Sequence, residues 1–191
     1  MKCTHNSSGV IVCTDKKSFD VEAARKKLVP FMTQNYYWLR REWPYKNVKP
    51  RIIAEKYIDS LGKPESIEYK VTCADGKVNF VTICTGIAHD AFELRTNDHY
   101  DVNFNHMPWY AIYKNAKTQP HKPEQWEELI SFCEKLSEGI PSVRVDTYIV
   151  DGQILFGEMT FYTWGGNIIF TPPEWDEKLG SLITLPDHKL L

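Results

Sequence analysis

Long apolar runs are missing from this chain. No stretch approaches the roughly 20 residues needed to cross a bilayer, and the start, Met1-Lys2-Cys3-Thr4-His5, lacks the apolar core of a signal peptide. No integral membrane segment is expected, and a soluble, cytoplasmic protein is. An excess of one charge is missing as well. With a net charge of −2, the totals give no electrostatic footprint for nucleic acid or an anionic surface, so no nucleic-acid partner is expected. The cations Lys16, Lys17, Arg25, Lys26 and Lys27 are interleaved with Asp15, Asp20 and Glu22, the pattern of a solvated helix face. The five cysteines are odd in number and lack C-x-x-C or Cys/His zinc spacing, so neither a disulfide framework nor a structural zinc site is suggested. Cys13, Cys73 and Cys84 sit in β-rich apolar runs, where a thiol acts as a small buried hydrophobe; a nucleophilic cysteine is the minor alternative. There is no low-complexity tract, no dividing linker and no Walker A loop.

What is present is an ordinary core. A 42% hydrophobic content over 191 residues supports one well-cored domain or two small lobes and excludes disorder as the default. Val10 to Thr14 reads as a strand entered from a polar turn. Asp20 is placed to cap a helix with Val21, Ala24 and Leu28 on one face, and Pro30 should kink or end it. Tyr36 to Tyr45 reads as a helix end passing into a loop, and Arg51 to Ile58 as a strand. Two hairpins share one plan. Ile67 to Cys73 and Val78 to Cys84 flank Asp75-Gly76, and Val143 to Val150 and Ile154 to Tyr162 flank Asp151-Gly152. A helix with Pro123 in its first turn carries Trp126, Leu129, Ile130, Cys133 and Leu136 as one stripe, stopped by Gly139 and Pro141. A short helix is expected from Thr171, turning Trp175 and Leu179 inward. His89 to Pro120 has no clear period. Helices packed on largely antiparallel strands define an α+β fold.

The chemistry concentrates in the second hairpin. Arg144, Asp146 and Tyr148 alternate with Val143, Val145, Thr147 and Ile149, so the charged set faces away from the core, and Glu158 and Thr160 lie on the returning strand. A two-residue turn would put Asp146 and Glu158 on opposite faces. The expectation is therefore a three-residue turn ending in left-handed Gly152. Two carboxylates without His or Cys suit a hard cation such as Mg²⁺, with Arg144 bringing charge to a phosphoryl group. An exposed cross-strand ion pair explains the same residues. Elsewhere, the run from Lys2 through Ser7, Ser8 and a flexible Gly9 can form an anion nest. Glu55 is placed to bind a ribose hydroxyl or to stand in solvent, and Lys70 faces away from the apolar side of its hairpin, toward solvent.

Taken in order, Lys2 to Gly9, Asn35-Tyr36-Tyr37, Arg41-Glu42-Trp43-Pro44-Tyr45, Pro50 to Glu55, Tyr69-Lys70, Arg144-Val145-Asp146, Gly157 to Tyr162 and Phe170 to Asp176 resemble the ATP-grasp family associated with teichuronopeptide and other cell-surface polysaccharide biosynthesis. The resemblance covers nearly the whole chain. It implies an ATP-grasp-like α+β fold, with residues 1–60 as part of a nucleotide-binding subdomain and 61–191 as a C-terminal metal-binding subdomain. It further implies ATP and Mg²⁺ as cofactors. Lys2 and the Ser7, Ser8, Gly9 loop would contact phosphates, and Glu55, Lys56, Tyr57 and Ile58 would lie beside adenine and ribose. Lys70 joins the nucleotide-binding set, Asp146 and Glu158 would hold the metal, and Arg144 would be catalytic, near the reacting phosphoryl. Such ligases phosphorylate a carboxylate with ATP and let an amine attack the acyl phosphate. The substrates implied are a nucleotide and a polysaccharide precursor or amino acid. Two departures stand out. Thr160 occupies a position that is commonly Asn, and relatives carry an N-terminal lobe before the strand of Lys2. An incomplete fold is therefore expected, with a homo- or hetero-oligomer able to supply the lobe and activity of the chain alone left open. A glycosyltransferase-like enzyme of the same pathway and a noncatalytic partner domain are the competing readings.

Overall fold

Asp20 opens the first helix as its sequence position predicts. Its carboxylate accepts a hydrogen bond from the Ala23 amide at 2.9 Å, satisfying one of the donors a helix start leaves unpaired. In this computed structural model, which describes residues 1–87 and 92–185, the chain divides into two compact units, Met1–Asp59 and Ser60–Leu191. The first unit contains strand β1 (Lys2–Cys3), helix α1 (Val21–Met32), the short helix α2 (Tyr37–Arg40), a 3₁₀ turn at Trp43–Tyr45 and strand β2 (Ile52–Ile53). Ala24 and Leu28 are the buried residues of α1. The helix runs two residues past Pro30, because the missing amide weakens only its last turn. β1 and β2 pair antiparallel, Lys2 opposite Ile53 and Cys3 opposite Ile52.

Two strand expectations shrink here. Val10 makes only an isolated bridge to Lys2, and of Arg51 to Ile58 only Ile52–Ile53 pairs. Both segments leave apolar residues such as Val12 and Tyr57 exposed. Apolar composition without a second face to cover it does not make a strand.

The second unit is built on a five-stranded antiparallel sheet, in the order β5-β4-β3-β7-β8. Its strands are β3 (Glu68–Ala74), β4 (Lys77–Thr85), β5 (Thr96–Tyr100), β7 (Ser142–Val150) and β8 (Gln153–Thr160); β6 (Tyr110–Ala111) pairs apart from it with β9 (Phe170–Thr171). Asp75 and Gly76, then Asp151 and Gly152, all take positive φ, as two-residue hairpin turns require. One sheet face carries Val71, Cys73, Val81, Ile83, Tyr100, Val143 and Val145 against Trp126, Leu129 and Cys133 of α3 (Trp126–Ser137). Fully burying a leucine such as Leu129 stabilises by about 1.5–3 kcal/mol, so this stripe anchors the helix. α3 starts at Trp126, whose amide donates to the Pro123 carbonyl at 3.2 Å, so Pro123 lies just ahead of the helix. α4 (Glu174–Gly180) starts three residues later than Thr171, which is taken up by β9; Trp175 and Leu179 pack as expected, against Phe80, Trp109 and Ala111. The fold is α+β, with antiparallel sheets and, among the described residues, four α-helices.

Within the aperiodic stretch, His89 to Ala91 lie outside the described residues, but the rest holds β5. Its sequence, Thr-Asn-Asp-His-Tyr, has no apolar alternation, yet Asp98, His99 and Tyr100 are buried. The following loop satisfies Asp98 and the Asn97 backbone, and the Thr82 hydroxyl meets His99 Nδ1 at 2.9 Å. Asp98 accepts the Ala116 amide at 3.1 Å and meets His106 Nε2 at 3.2 Å, while Asn97 exchanges bonds with Lys114 and Asn115.

Candidate functional site

The face of the five-stranded sheet opposite α3 is polar in a continuous line. Thr82 is opposite His99, Lys70 opposite Thr82, Asp146 opposite Lys70, and Glu158 opposite Asp146. One row of side chains therefore crosses all five strands. Four of the residues singled out from sequence, Lys70, Arg144, Asp146 and Glu158, belong to this row or flank it.

The route by which Asp146 and Glu158 come to face each other differs from the expected three-residue turn. The turn holds only Asp151 and Gly152, and Val150 pairs with Gln153, which sets even residues against odd ones. A β-bulge then inserts one residue: Thr147 pairs with Phe156, but Asp146 pairs with Glu158. Gly157 is the extra residue, and it turns Glu158 out and Met159 into the core. A side chain is excluded there. A Cβ on Gly157 would stand 2.9 Å from the Asp146 carbonyl oxygen and 3.2 Å from the Tyr148 ring.

The charged set is also far less exposed than expected. Asp146 is 1% exposed and accepts three charge-assisted hydrogen bonds: Arg144 Nε to Oδ1 at 2.6 Å, Arg144 Nη2 to Oδ2 at 2.7 Å, and Lys70 Nζ to Oδ2 at 2.6 Å. Lys70 also pairs with Glu68 at 2.9 Å, and Tyr148 donates to Glu68 at 3.0 Å. The expectation of a solvated Lys70 is thus corrected, since two carboxylates claim its ammonium. Burial pushes the Lys70 pKa down, but Asp146 and Glu68 outweigh it and hold the pKa above its ordinary value. For Arg144 burial likewise acts downward, and the Asp146 hydrogen bonds and charge raise the pKa overall. Both cations stay charged at every physiological pH. Burial, then the Glu68 carboxylate, raises Tyr148, so its phenol remains a donor.

Glu158 is the open end of the row, with a side chain 65% exposed. Arg144 Nη2 lies 3.8 Å away. The Thr160 hydroxyl both accepts from Arg144 Nη2 at 3.1 Å and donates to Glu158 Oε1 at 3.3 Å, so here threonine bridges the guanidinium and the carboxylate. Among the described residues no group of three or more His, Cys, Asp or Glu forms a preassembled metal site. The donor set still fits a hard cation. A carboxylate offers about four lone-pair sites, three of them on Asp146 are taken, and Glu158 faces it with an oxygen turned to solvent. Mg²⁺ needs only one or two carboxylates when phosphates and water complete its shell. Lys70 and Arg144 are both held by carboxylates of this face.

The other candidates lie in the first unit. Lys2 Nζ meets Glu55 Oε2 at 2.9 Å, so Glu55 is paired as well as exposed. Ser7 and Ser8 are exposed, and Ser8 sits at φ 73. Gly9 is buried rather than flexible. Its carbonyl accepts the Cys3 amide at 2.8 Å, and a Cβ would meet Asn6 Oδ1 at 2.7 Å. Lys56 and Tyr57 are exposed and Ile58 is half-buried, on chain with no regular structure.

Glu68 and Thr163, whose hydroxyl is 3.4 Å from Arg144 Nη1, were not singled out from sequence. The signal for Glu68 was present in its i, i+2 spacing to Lys70. Thr163 follows the last residue of β8 by three, where no periodicity points to it. Of the cysteines singled out, burial raises the Cys73 thiol and pushes Cys84, on the polar face, up to about 12, far from a reactive thiolate. A groove of about 280 Å³, lined by Ser60, Lys63, Ser66, Tyr69 and Ile149 among others, borders the apolar side and is separate from the charged row.

The polar row thus joins a buried carboxylate held by two cations to a carboxylate that stands open to solvent at Glu158. The family model described as TupA-like ATPgrasp matches residues 1–184, and the chain belongs to that ATP-grasp family. Comparison with curated proteins and comparison with solved structures each found no match. ATP-grasp proteins generally use ATP and Mg²⁺, and membership supports nucleotide binding and an ATP-dependent, ligase-like function. Among the described residues, no helix is long and apolar enough to cross a membrane.

Proposed function

We propose that this protein is an ATP- and Mg²⁺-dependent carboxylate-amine ligase acting on a precursor in cell-surface polysaccharide biosynthesis. The observation that carries the reading is the row Lys70, Asp146, Glu158 with Arg144 beside it, buried at Asp146 and open at Glu158. When bound, Mg²⁺-ATP supplies the phosphoryl group and the charge that polarises it. The chain's own residues do the positioning. Asp146 holds Arg144 in a two-point fork and draws in Lys70, so both cations are aimed before any ligand arrives and need little reorganisation. Glu158, and Asp146 through its remaining lone pair, are the metal ligands in this reading. Arg144 faces the transferring phosphoryl, and Lys70 takes a neighbouring phosphate oxygen. In the first unit, Lys2, the Ser7 to Gly9 loop and the Glu55 to Ile58 segment are proposed nucleotide contacts.

Calorimetric titration with Mg²⁺-ATP tests this. Binding should be detected, and Glu158→Gln should weaken it at least tenfold while leaving stability within about 0.5 kcal/mol, as befits an exposed side chain. Absence of binding, or binding indifferent to Glu158→Gln and Asp146→Asn alike, overturns the assignment.

A further inference from the structure

The overall charge hides a local imbalance. From Tyr36 to Arg51 the sequence holds Arg40, Arg41, Lys46, Lys49 and Arg51 against one carboxylate, Glu42, and Glu42 is buried. In a chain of net charge −2, Arg41, Lys49 and Arg51 of this segment are exposed and Lys46 is half-buried. The segment also shows apolar surface: Trp38 is 63%, Leu39 66% and Trp43 58% exposed. Globular proteins tolerate single exposed apolar residues, but a group of large ones marks an interaction site.

The group is built rather than splayed. Asn35 ties both ends, accepting from the Tyr37 amide at 3.1 Å and donating to the Lys46 carbonyl at 3.1 Å. Arg41, at φ 60, reverses the chain after α2. Its guanidinium lies 4.5 Å from the Trp38 ring centre, and the Lys46 ammonium lies 4.2 Å from that of Trp43. Tyr37 packs edge-on to both tryptophans, at 5.1 and 6.0 Å. Cations stacked on aromatic rings keep a fixed geometry while remaining free to meet anions.

We propose that this platform docks the protein on the surface of an anionic lipid bilayer. Tryptophan and tyrosine favour the headgroup layer, where an amphipathic ring has both an apolar and a wet side, and arginine and lysine beside them meet anionic headgroups. Leu39 selects between occupants. A soluble polyanion offers it nothing, whereas the acyl boundary takes an aliphatic side chain. The inference is independent of the nucleotide reading, since none of these residues belongs to that site.

The test is co-sedimentation of the full chain with vesicles of phosphatidylcholine alone and of equal parts phosphatidylcholine and phosphatidylglycerol, together with tryptophan emission. Binding to the mixed vesicles only, with a blue shift, is expected. Each cation near such a surface is worth about fivefold in affinity, so Arg41→Gln with Lys46→Gln should weaken binding about 25-fold. Lys16→Gln with Lys17→Gln, the same change of charge elsewhere, should have little effect. Leu39→Asp, at an exposed position that packing does not need, should weaken binding at least tenfold even if the double variant folds poorly. No sedimentation with mixed vesicles, equal losses in both double variants, or equally tight binding to polyglutamate without a blue shift each overturns the proposal.

Discussion

Replacing Gly157 with alanine tests how the fold makes its charged row. The new methyl would lie 2.9 Å from the Asp146 carbonyl oxygen, 3.4 Å from its carbon and 3.2 Å from Tyr148 Cε2. The first two are backbone atoms, so relief by a rotamer change is closed off. Two responses remain. Removing the bulge by a one-residue slip would turn Glu158 toward the core side, beside Val145, and burying an unpaired carboxylate costs several kcal/mol. Opening the bulge is cheaper, about 1–3 kcal/mol, the usual range for overpacking. Gly157→Ala should therefore lower the stability measured by urea unfolding by about 1–3 kcal/mol and separate Glu158 from Asp146, weakening Mg²⁺-ATP binding in parallel. Gly180→Ala is the control. No atom lies within 4 Å of its Cβ, and it sits at the end of α4, where alanine should be neutral or stabilise by up to about 1 kcal/mol. A Gly157→Ala protein within about 0.5 kcal/mol of the parent, with unchanged binding, would refute the claim that the bulge depends on this glycine.

Three further predictions follow from the site and the core. Lys70→Met removes a cation that competes for Asp146 Oδ2 and one that meets phosphate in the proposed complex; calorimetry should show tighter Mg²⁺ binding without nucleotide but weaker ATP binding, and a parallel loss of both would contradict it. Burial, helped by His106, holds the His99 imidazole down at about 3 against 6.5. A base depressed in the fold is neutral there while the unfolded chain takes its proton. Its contribution is therefore complete above about pH 6.5 and is lost as pH falls toward 3, at up to about 1.4 kcal/mol per unit. His99→Gln, measured by urea unfolding between pH 6 and 4, should flatten that limb, and an unchanged slope would count against it. Leu129→Ala, at a fully buried position of α3, should cost about 2–5 kcal/mol in the same assay; a loss below about 1 kcal/mol would mean that α3 is not anchored by its stripe.

Local chemistry made much of this protein legible in its sequence. Asp20 caps, the Asp-Gly pairs turn, and Trp126, Leu129 and Cys133 line up on one helix face, because each depends on neighbours a few residues away. Arg144, Asp146 and Tyr148 could be assigned to one face by alternation alone. The facing of Glu158 could not be, although Ile154, Phe156 and Met159 carry the break in period that Gly157 creates. Choosing between a longer turn and a bulge requires knowing which strand partner the core accepts. Burial was likewise a tertiary matter. Asp146 is sealed by Lys70, 76 residues earlier in the chain, and the buried Asp98 of β5 is met by His106 and Ala116, which return from the loop that follows. The sequence by itself determined which residues could carry charge and on which side of a strand. The tertiary structure alone decided which charges meet, since electrostatic partners are chosen by distance in space and the chain encodes that distance only through its packing.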